Sequence, residues 1–200
     1  MSDVAHFDRL AAVYDWLAPS ASPDDVRAGF AYAERNVQTV LDLAGGTGRT
    51  AAAVPEYDVT VLDAAPGMLR EARAKGLRVV QGDATRLPIL DESFDAVVVT
   101  DALHHLDAPA AIRAASRVLR PGGVLVACDF DPRGVLGRAL VTGEHLAGFE
   151  SSFYAPGELA AVFEEAGLRS HGVRSGFGYA LAGVKLGGAR TTGSDEPVRE

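Results

Sequence analysis

The chain has 200 residues, of which 48% are apolar and 23% charged, and its formal net charge at pH 7 is −8. This composition indicates one globular domain with a substantial core, and an acidic chain without a Lys/Arg cluster disfavours nucleic acid as a partner. The single cysteine, Cys128, excludes an intramolecular disulfide, and no apolar run approaches the about 20 residues that span a bilayer, so we expect a cytoplasmic protein with no membrane partner.

Two helices are predicted in residues 1–37, which we interpret as an N-terminal cap. Residues 5–17 place apolar side chains at helical intervals. Ser22 and Pro23 are typical of an N-cap and a first helical position, so a second helix is predicted from there to about Asn36.

Strand-like and helix-like segments then alternate, which predicts an α/β fold with a parallel sheet and helices on both of its faces. The apolar runs VLDL, VVVT and VLVA agree with strands that are buried on both sides. Two more segments resemble strands around the turn at 175–176, and we expect one C-terminal strand to be antiparallel. The predicted strands cover 39–43, 59–62, 77–80, 94–100, 124–128, 168–174 and 177–185.

Two segments depart from this alternation. Residues 131–155 contain four glycines and no clear strand, so we interpret them as an insertion above the carboxyl edge of the sheet. Residues 187–200 lack apolar side chains that would dock them, and we expect a disordered tail. The predicted domain is therefore 1–186.

A glycine-rich turn, LAGGTG at 43–48, follows the first predicted strand. Glycine allows the backbone to turn tightly and to approach a ligand closely. Asp63 lies 21 residues after Asp42, and Asp83 lies 20 residues after Asp63. Both acids follow strands, so they should meet at one sheet edge, where a carboxylate can accept hydrogen bonds from ribose hydroxyls.

A dinucleotide site is the main alternative for this loop. It usually has the pattern G-x-G-x-x-G, and here Ala51 takes the place of the third glycine. Asp42 would also repel a pyrophosphate, whereas a ligand with a cationic amino acid would be attracted to it.

The glycine-rich turn and the acids that follow the strands resemble the motifs of class I S-adenosylmethionine-dependent methyltransferases. VLDLAGGTG is similar to their first motif, and the opening FDRLAAVYD is similar to the ubiquinone/menaquinone-biosynthesis type. Ala44 departs from the pattern, because many members carry glycine there. The resemblance covers about residues 38–130 and implies a Rossmann-like doubly wound sheet. The other matching blocks are VTVLDAAPGML, VVQGDATRLP, FDAVVVTDALHHLDAP and RVLRPGGVLVACDF.

The resemblance also implies S-adenosylmethionine as the cofactor and assigns residues to each part of it. The methionine part would lie against Ala44, Gly45, Gly46 and Gly48. Asp63 would hold the ribose. The adenine would lie against Ala64, Met68, Asp83 and Ala84, with Thr100 beneath the sulfonium and Tyr14 closing over the cofactor.

Candidate bases follow the fourth predicted strand: Asp101, His104 and His105. A loop contact or a helix entry explains the two histidines better than a catalytic role does. Because adjacent side chains point in different directions and no partner spacing is evident, we expect no metal there. Glu144 and His145 of the insertion are further candidates, and Asp129 and Asp131 lie at the end of the fifth predicted strand. Asp107 is better explained as a helix N-cap.

The predicted function is methyl transfer, by in-line displacement, to a small-molecule acceptor. Asn-Pro-Pro-Tyr and the catalytic cysteine motifs of nucleic-acid methyltransferases are absent. A non-catalytic module that binds S-adenosylmethionine or S-adenosylhomocysteine stays open, as does an NAD(P)-dependent oxidoreductase. The motifs specify neither the acceptor nor an oligomeric state.

Overall fold

A computed structural model describes residues 4, 7, 8, 11, 21–134, 137–138, 141–142, 151–174 and 178–187. Within these ranges the strands are Thr39–Leu43 (β1), Asp58–Asp63 (β2), Arg78–Gln81 (β3), Phe94–Thr100 (β4), Leu119–Phe130 (β5), Leu168–Arg174 (β6) and Gly178–Lys185 (β7). The helices are Pro23–Phe30 (α1), Arg49–Ala53 (α2), Pro66–Ala74 (α3), Ala108–Val118 (α4) and Pro156–Glu165 (α5), with a 3₁₀ turn over Leu103–His105.

The seven strands form a sheet in the order β3-β2-β1-β4-β5-β7-β6. The first five strands pair in parallel, and β7 pairs antiparallel with both β5 and β6. The predicted fold class, a mostly parallel α/β sheet with an antiparallel C-terminal strand, is therefore confirmed.

Alternating side chains divide the core between the two faces of the sheet. One cluster includes Leu41 and Leu125 with α4 and α5, and the other includes Val40 and Val126 with α1. Gly29 allows α1 to approach the sheet, because a Cβ there would lie 2.6 Å from a methyl carbon of Val126. Burial on both faces explains the long apolar runs of the central strands.

Two predicted boundaries were wrong, and tertiary contacts explain both. The helix α1 ends at Phe30 and not near Asn36, because the chain beyond it turns to the sheet, where the Glu34 amide donates to Gly122 O at 2.8 Å. The strand β5 begins at Leu119, which pairs with Phe94 before the register shifts.

Other predicted features can be placed directly. Asp107 caps α4, with its carboxylate accepting from Ala110 N at 3.1 Å. Tyr14, Glu144 and His145 lie outside the described residues, as do most of 5–17 and the tail beyond residue 187. In the described part of the chain, no helix is both long enough and apolar enough to cross a bilayer.

Candidate functional site

A cavity of about 400 Å³ opens at the carboxyl ends of the parallel strands, where open α/β sheets bind ligands. Nine of the eleven residues predicted for the cofactor lie on its wall. They are Ala44, Gly45, Gly46, Asp63, Ala64, Met68, Asp83, Ala84 and Thr100.

The loop after β1 lies on the cavity wall and has an unusual backbone conformation. Ala44 has φ +53° and Gly46 has φ +57°, so both lie in the left-handed region that favours glycine. The position where many methyltransferases carry glycine therefore adopts a glycine-like conformation here, although it is occupied by Ala44.

Asp42 lies directly behind this loop and is fully buried. Among the described residues, none forms a normal hydrogen bond to either of its carboxyl oxygens. Burial raises the pKa of Asp42 to about 7, while the Ala51 amide and the Arg49 guanidinium act in the opposite direction. A Cβ on Gly45 would lie 2.5–2.8 Å from the Asp42 carboxyl group, so only glycine fits between this acid and the cavity.

Asp63, at the end of β2, is held by two backbone amides. Gly46 N donates to its Oδ2 at 2.9 Å, and Ala65 N donates to its Oδ1 at 2.8 Å. Burial raises the pKa of Asp63, and these hydrogen bonds oppose the rise. The carboxylate is thereby fixed on the cavity wall, where its remaining lone pairs can accept from ligand hydroxyls.

Asp83, in the loop after β3, has a different environment. Its Oδ1 accepts from Thr85 N at 2.8 Å and from Thr85 Oγ1 at 2.7 Å. These bonds lower the pKa of Asp83, so the group is an ionised acceptor at the far end of the cavity.

Gly48 lies outside the cavity wall and serves helix packing. It has φ +75°, and a Cβ there would lie 2.3 Å from Leu77 Cδ1 and 3.3 Å from Val61 Cγ2. It therefore lets α2 begin close to the sheet, which is the packing role of the third glycine in dinucleotide loops.

The end of β4 brings Thr100 and Asp101 to the opposite end of the cavity. Thr100 shares a 2.8 Å hydrogen bond with the Thr50 hydroxyl. Asp101 has φ +51°, and its Oδ2 accepts from Ala21 N at 3.0 Å. Burial raises the pKa of Asp101 to about 6, with Asp129 adding to the rise.

The two adjacent histidines have different surroundings. His105 lies on the cavity wall, its ring meets Phe7 edge to face at 5.0 Å, and its Nδ1 lies 3.3 Å from Ser151 Oγ. His104 is buried away from the wall and donates from Nδ1 to both carboxylate oxygens of Asp129, at 2.8 and 2.9 Å. In the ranges described, no group of three or more His, Cys, Asp or Glu residues has the arrangement of a metal site.

Nine of the residues on the cavity wall were not predicted, and three of them add a new segment or a positive charge to the site. Val4 and Phe7 of the N-terminal segment lie on the wall, and so does Arg49. The helical spacing of residues 4, 7, 8 and 11 was a signal for the first two. Arg49 follows Gly48 directly and could have been assigned with the loop.

Comparisons with known proteins agree with the geometry. Residues 41–127 match the family model described as a methyltransferase domain. The chain is 43% identical over 96 residues to the demethylmenaquinone methyltransferase of Mycolicibacterium paratuberculosis, covering 46% of this chain and 42% of that protein. It is 36% identical over 143 residues to a ubiquinone/menaquinone biosynthesis C-methyltransferase of Paracoccus denitrificans, covering 65% and 51% respectively.

A crystal structure shares the whole architecture. An S-adenosylmethionine-dependent methyltransferase from Thermotoga maritima has a TM-score of 0.70 with 21% identity, over 91% of this chain and 95% of that one. The chain spans about half or less of the length of the two curated relatives. These findings confirm the resemblance that the sequence motifs indicated.

Proposed function

We propose that this chain, with a methyltransferase domain at residues 41–127, transfers a methyl group from S-adenosylmethionine to a small-molecule acceptor by in-line displacement. The observation that carries the proposal is the Asp63 carboxylate, which two backbone amides fix on the wall of the cavity. Asp42, buried behind the glycine loop without a partner among the described residues, supports it further.

The residues present fit the cofactor. Asp63 would accept from the ribose hydroxyls, and Asp83 from the adenine amino group, with Ala64, Met68 and Ala84 against the ring. Loop 44–46 would hold the methionine part. Its positively charged ammonium group would stabilise the ionised form of Asp42, which is buried behind the loop. When bound, S-adenosylmethionine would supply a methyl group on a sulfonium, and its transfer to the acceptor would leave the neutral thioether S-adenosylhomocysteine without further activation.

The charge on the wall also suits a cationic ligand. Three carboxyl groups, Asp63, Asp83 and Asp101, face the cavity together with the Arg49 guanidinium. The sulfonium form carries one positive charge more than its demethylated product, and an acidic wall therefore favours the donor over the product. The same wall is unsuited to the pyrophosphate of NAD(P), which disfavours the oxidoreductase alternative.

The end of the cavity beside Thr100 is where we place the acceptor. Asp101 and His105 lie on this part of the wall, and either can take a proton from an acceptor hydroxyl, nitrogen or acidic carbon. Asp101 is ionised above the pKa near 6 that burial gives it. Most of the acceleration is expected to come from alignment of the acceptor with the methyl group.

Calorimetry with S-adenosylhomocysteine tests the binding half of the proposal. We expect a micromolar affinity that falls by about tenfold or more in Asp63→Ala, since each hydrogen bond to a charged group contributes about 1.5–3 kcal/mol. Asp58→Ala is the matched control: Asp58 begins the same strand at its other end, where it pairs with Arg78 at 2.7 Å. Equal affinity in the two variants would remove Asp63 from the site.

Turnover tests the chemical half. The protein is incubated with a labelled methyl donor and either a reduced short-chain demethylmenaquinone, the acceptor class named for one relative, or a metabolite extract. Labelled product that depends on the acceptor is the expected result. Cofactor binding without transfer to any acceptor would favour a non-catalytic binding module, and binding of NAD(H) in its place would favour an oxidoreductase.

A further inference from the structure

Residues 151–154, which precede α5, lie against the 3₁₀ turn that carries the two histidines. Ser151 Oγ meets His105 Nδ1 at 3.3 Å, and Ser152 N donates to the His104 carbonyl at 2.6 Å. Phe153 stacks on the His104 ring, with centroids 4.4 Å apart and planes 10° apart. Three consecutive residues therefore contact the same turn.

The next residue ties this segment to the sheet. The Tyr154 carbonyl accepts from the Tyr179 hydroxyl at 3.1 Å, and Tyr179 belongs to β7, where it pairs with Asp129 of β5. The segment is thus attached both to the turn after β4 and to the strand next to β5.

The His104 ring is the centre of this arrangement. It is 3% exposed and stacks on Phe153 on one side, and its centroid lies 4.2 Å from that of His105. Asp129, 6% exposed, accepts from Nδ1 with both oxygens and also accepts from Phe130 N at 2.8 Å. The hydrogen bonds to Asp129 fix the rotation of the ring within its own plane, and the stacking contact with Phe153 fixes the orientation of that plane.

The position of the pair is close to the reacting end of the cavity but not on it. His104 is absent from the cavity wall, whereas its neighbours Asp101 and His105 lie on it. Asp129 and His104 also act electrostatically on Asp101 from opposite directions, the first raising and the second lowering its pKa. The pair therefore acts on the wall residue Asp101 from outside the cavity lining.

We propose that Asp129 and His104 are positioning residues of the acceptor site, which hold residues 151–154 and His105 in place at the reacting end of the cavity. The proposal rests on the proposed methyl transfer, which identifies this end of the cavity as the place where the acceptor reacts. In this arrangement His105 faces the cavity, and His104 holds the turn that carries His105 in place. The acceptor should lose affinity when the support is removed, while the cofactor end, built on β1 and β2, should not.

Three variants separate the contributions. Asp129→Ala removes both acceptor oxygens, and Asp129→Asn retains one. His104→Phe keeps an aromatic ring against Phe153 but removes Nδ1. Asp131→Ala is the matched control, because Asp131 is an acid two residues further along the chain, just after β5, whose hydrogen bonds go only to Arg133 among the described residues.

The first readouts need no turnover. Hydrogen exchange reports the Ser152 amide, and imidazole NMR reports His105. In Asp129→Ala we expect exchange at Ser152 to accelerate by about tenfold or more, with a shifted His105 signal and S-adenosylhomocysteine affinity within about twofold of the parent. Asp129→Asn should be intermediate, and Asp131→Ala should match the parent.

Kinetics with the acceptor then distinguish support from catalysis. Positioning predicts that the acceptor KM rises by about tenfold in Asp129→Ala and His104→Phe, with a smaller change in kcat. Unchanged exchange at Ser152 in both folded variants would overturn the proposal, and so would a fall in kcat at constant KM. If Asp129→Ala fails to fold, His104→Phe decides alone. A parent protein that binds no S-adenosylhomocysteine would contradict the proposed function, while the exchange result would still test the support.

Discussion

Asp42, whose carboxyl oxygens accept no normal hydrogen bond from the described residues, gives the glycine loop a sensitivity to pH. Asp42 is fully buried and has a pKa of about 7 in the ligand-free protein. A cationic ligand on the other side of Gly45 favours the ionised form, and Arg49 acts in the same direction, whereas Asp63 opposes it. Binding should therefore lower this pKa and release a proton.

The affinity for S-adenosylmethionine should accordingly rise as the pH increases from about 6 to 8 and then level off. At pH 7 the ligand-free carboxyl is about half protonated, so binding should release up to about half a proton. Calorimetry in buffers of different ionisation enthalpy measures this release directly. Asp42→Asn should abolish it, and a release that persists in that variant would assign the proton to another group.

The same acid also affects the stability of the ligand-free protein. Its folded pKa lies above the unfolded value, so its contribution to stability is lost as the pH rises from about 4 to 7. A surface acid in an ion pair shows the opposite pH dependence, because its contribution to stability is lost as the pH falls. The cost is tolerated at a position that faces the ligand loop, where strain and unpaired groups are often functional.

Nine of the residues on the cavity wall could be predicted because their signals are local. Glycine spacing and acids after successive strands placed Asp63 and Asp83 correctly on one wall. The Asp129–His104 pair could not be predicted in this way, since its members are 25 residues apart and only the register of β4 on β5 brings them together.

At the scale of elements, the four described residues of the N-terminal segment, 4, 7, 8 and 11, lie at or beside the cavity and the start of α3. Val4 and Phe7 lie on the cavity wall, and Ala11 packs with Ala65 and Met68. Asp8 Oδ1 accepts from Gly67 N at 2.5 Å, at the N-terminus of α3. An anion is favoured at a helix N-terminus, so this bond anchors these residues to α3.

Removal of the anchor should speed the loss of ligand. In Asp8→Ala we expect S-adenosylhomocysteine to dissociate about tenfold faster, because a hydrogen bond to a charged group is lost. Gly67→Ala should behave alike, since its Cβ would lie 2.6 Å from Asp8 Oδ1. Stopped-flow displacement measures the rate, with Asp24→Ala on the exposed face of α1 as the control. A parent-like rate in both test variants would refute the anchor.

Element boundaries were predicted less well than element types, and the errors fall where tertiary contacts decide. The α1 sequence continues to favour a helix beyond Phe30, but Glu34 and Arg35 make contacts at the amino edge of the sheet. The start of β5 was missed because Arg120–Gly123 has the composition of a turn, although Leu119 already pairs with β4.

At the scale of the whole molecule, the buried acids at the two edges of the sheet have different surroundings. The carboxyl edge holds Asp42, Asp63 and Asp101, whose pKa values are raised. The amino edge holds Asp95, which accepts from Thr39 N at 3.0 Å and from Arg120 Nη1 at 2.9 Å. Burial alone would raise the pKa of Asp95, but these bonds lower it to about 2.

Asp95→Ala should therefore reduce stability and leave the site intact. We expect a loss of about 2–4 kcal/mol, since a buried, hydrogen-bonded acid is removed and Arg120 loses its partner. In the parent, this contribution is present above pH 4 and is lost as the pH falls toward 2. Urea unfolding measures the loss. A reduced S-adenosylhomocysteine affinity in the folded fraction would contradict the prediction that Asp95 affects stability and not the site.

The place of β7 between β5 and β6 has a consequence for synthesis of the protein. β7 follows both strands in the chain, and among the described strands β6 pairs with β7 alone. Until β7 leaves the ribosome, the apolar edge of β5 stays unpaired and β6 has nothing to join. Unpaired edges are templates for association with other chains. Nascent chains that stop between residues 174 and 178 should therefore be held by chaperones or aggregate, and the sheet should become complete only after β7 has emerged from the ribosome.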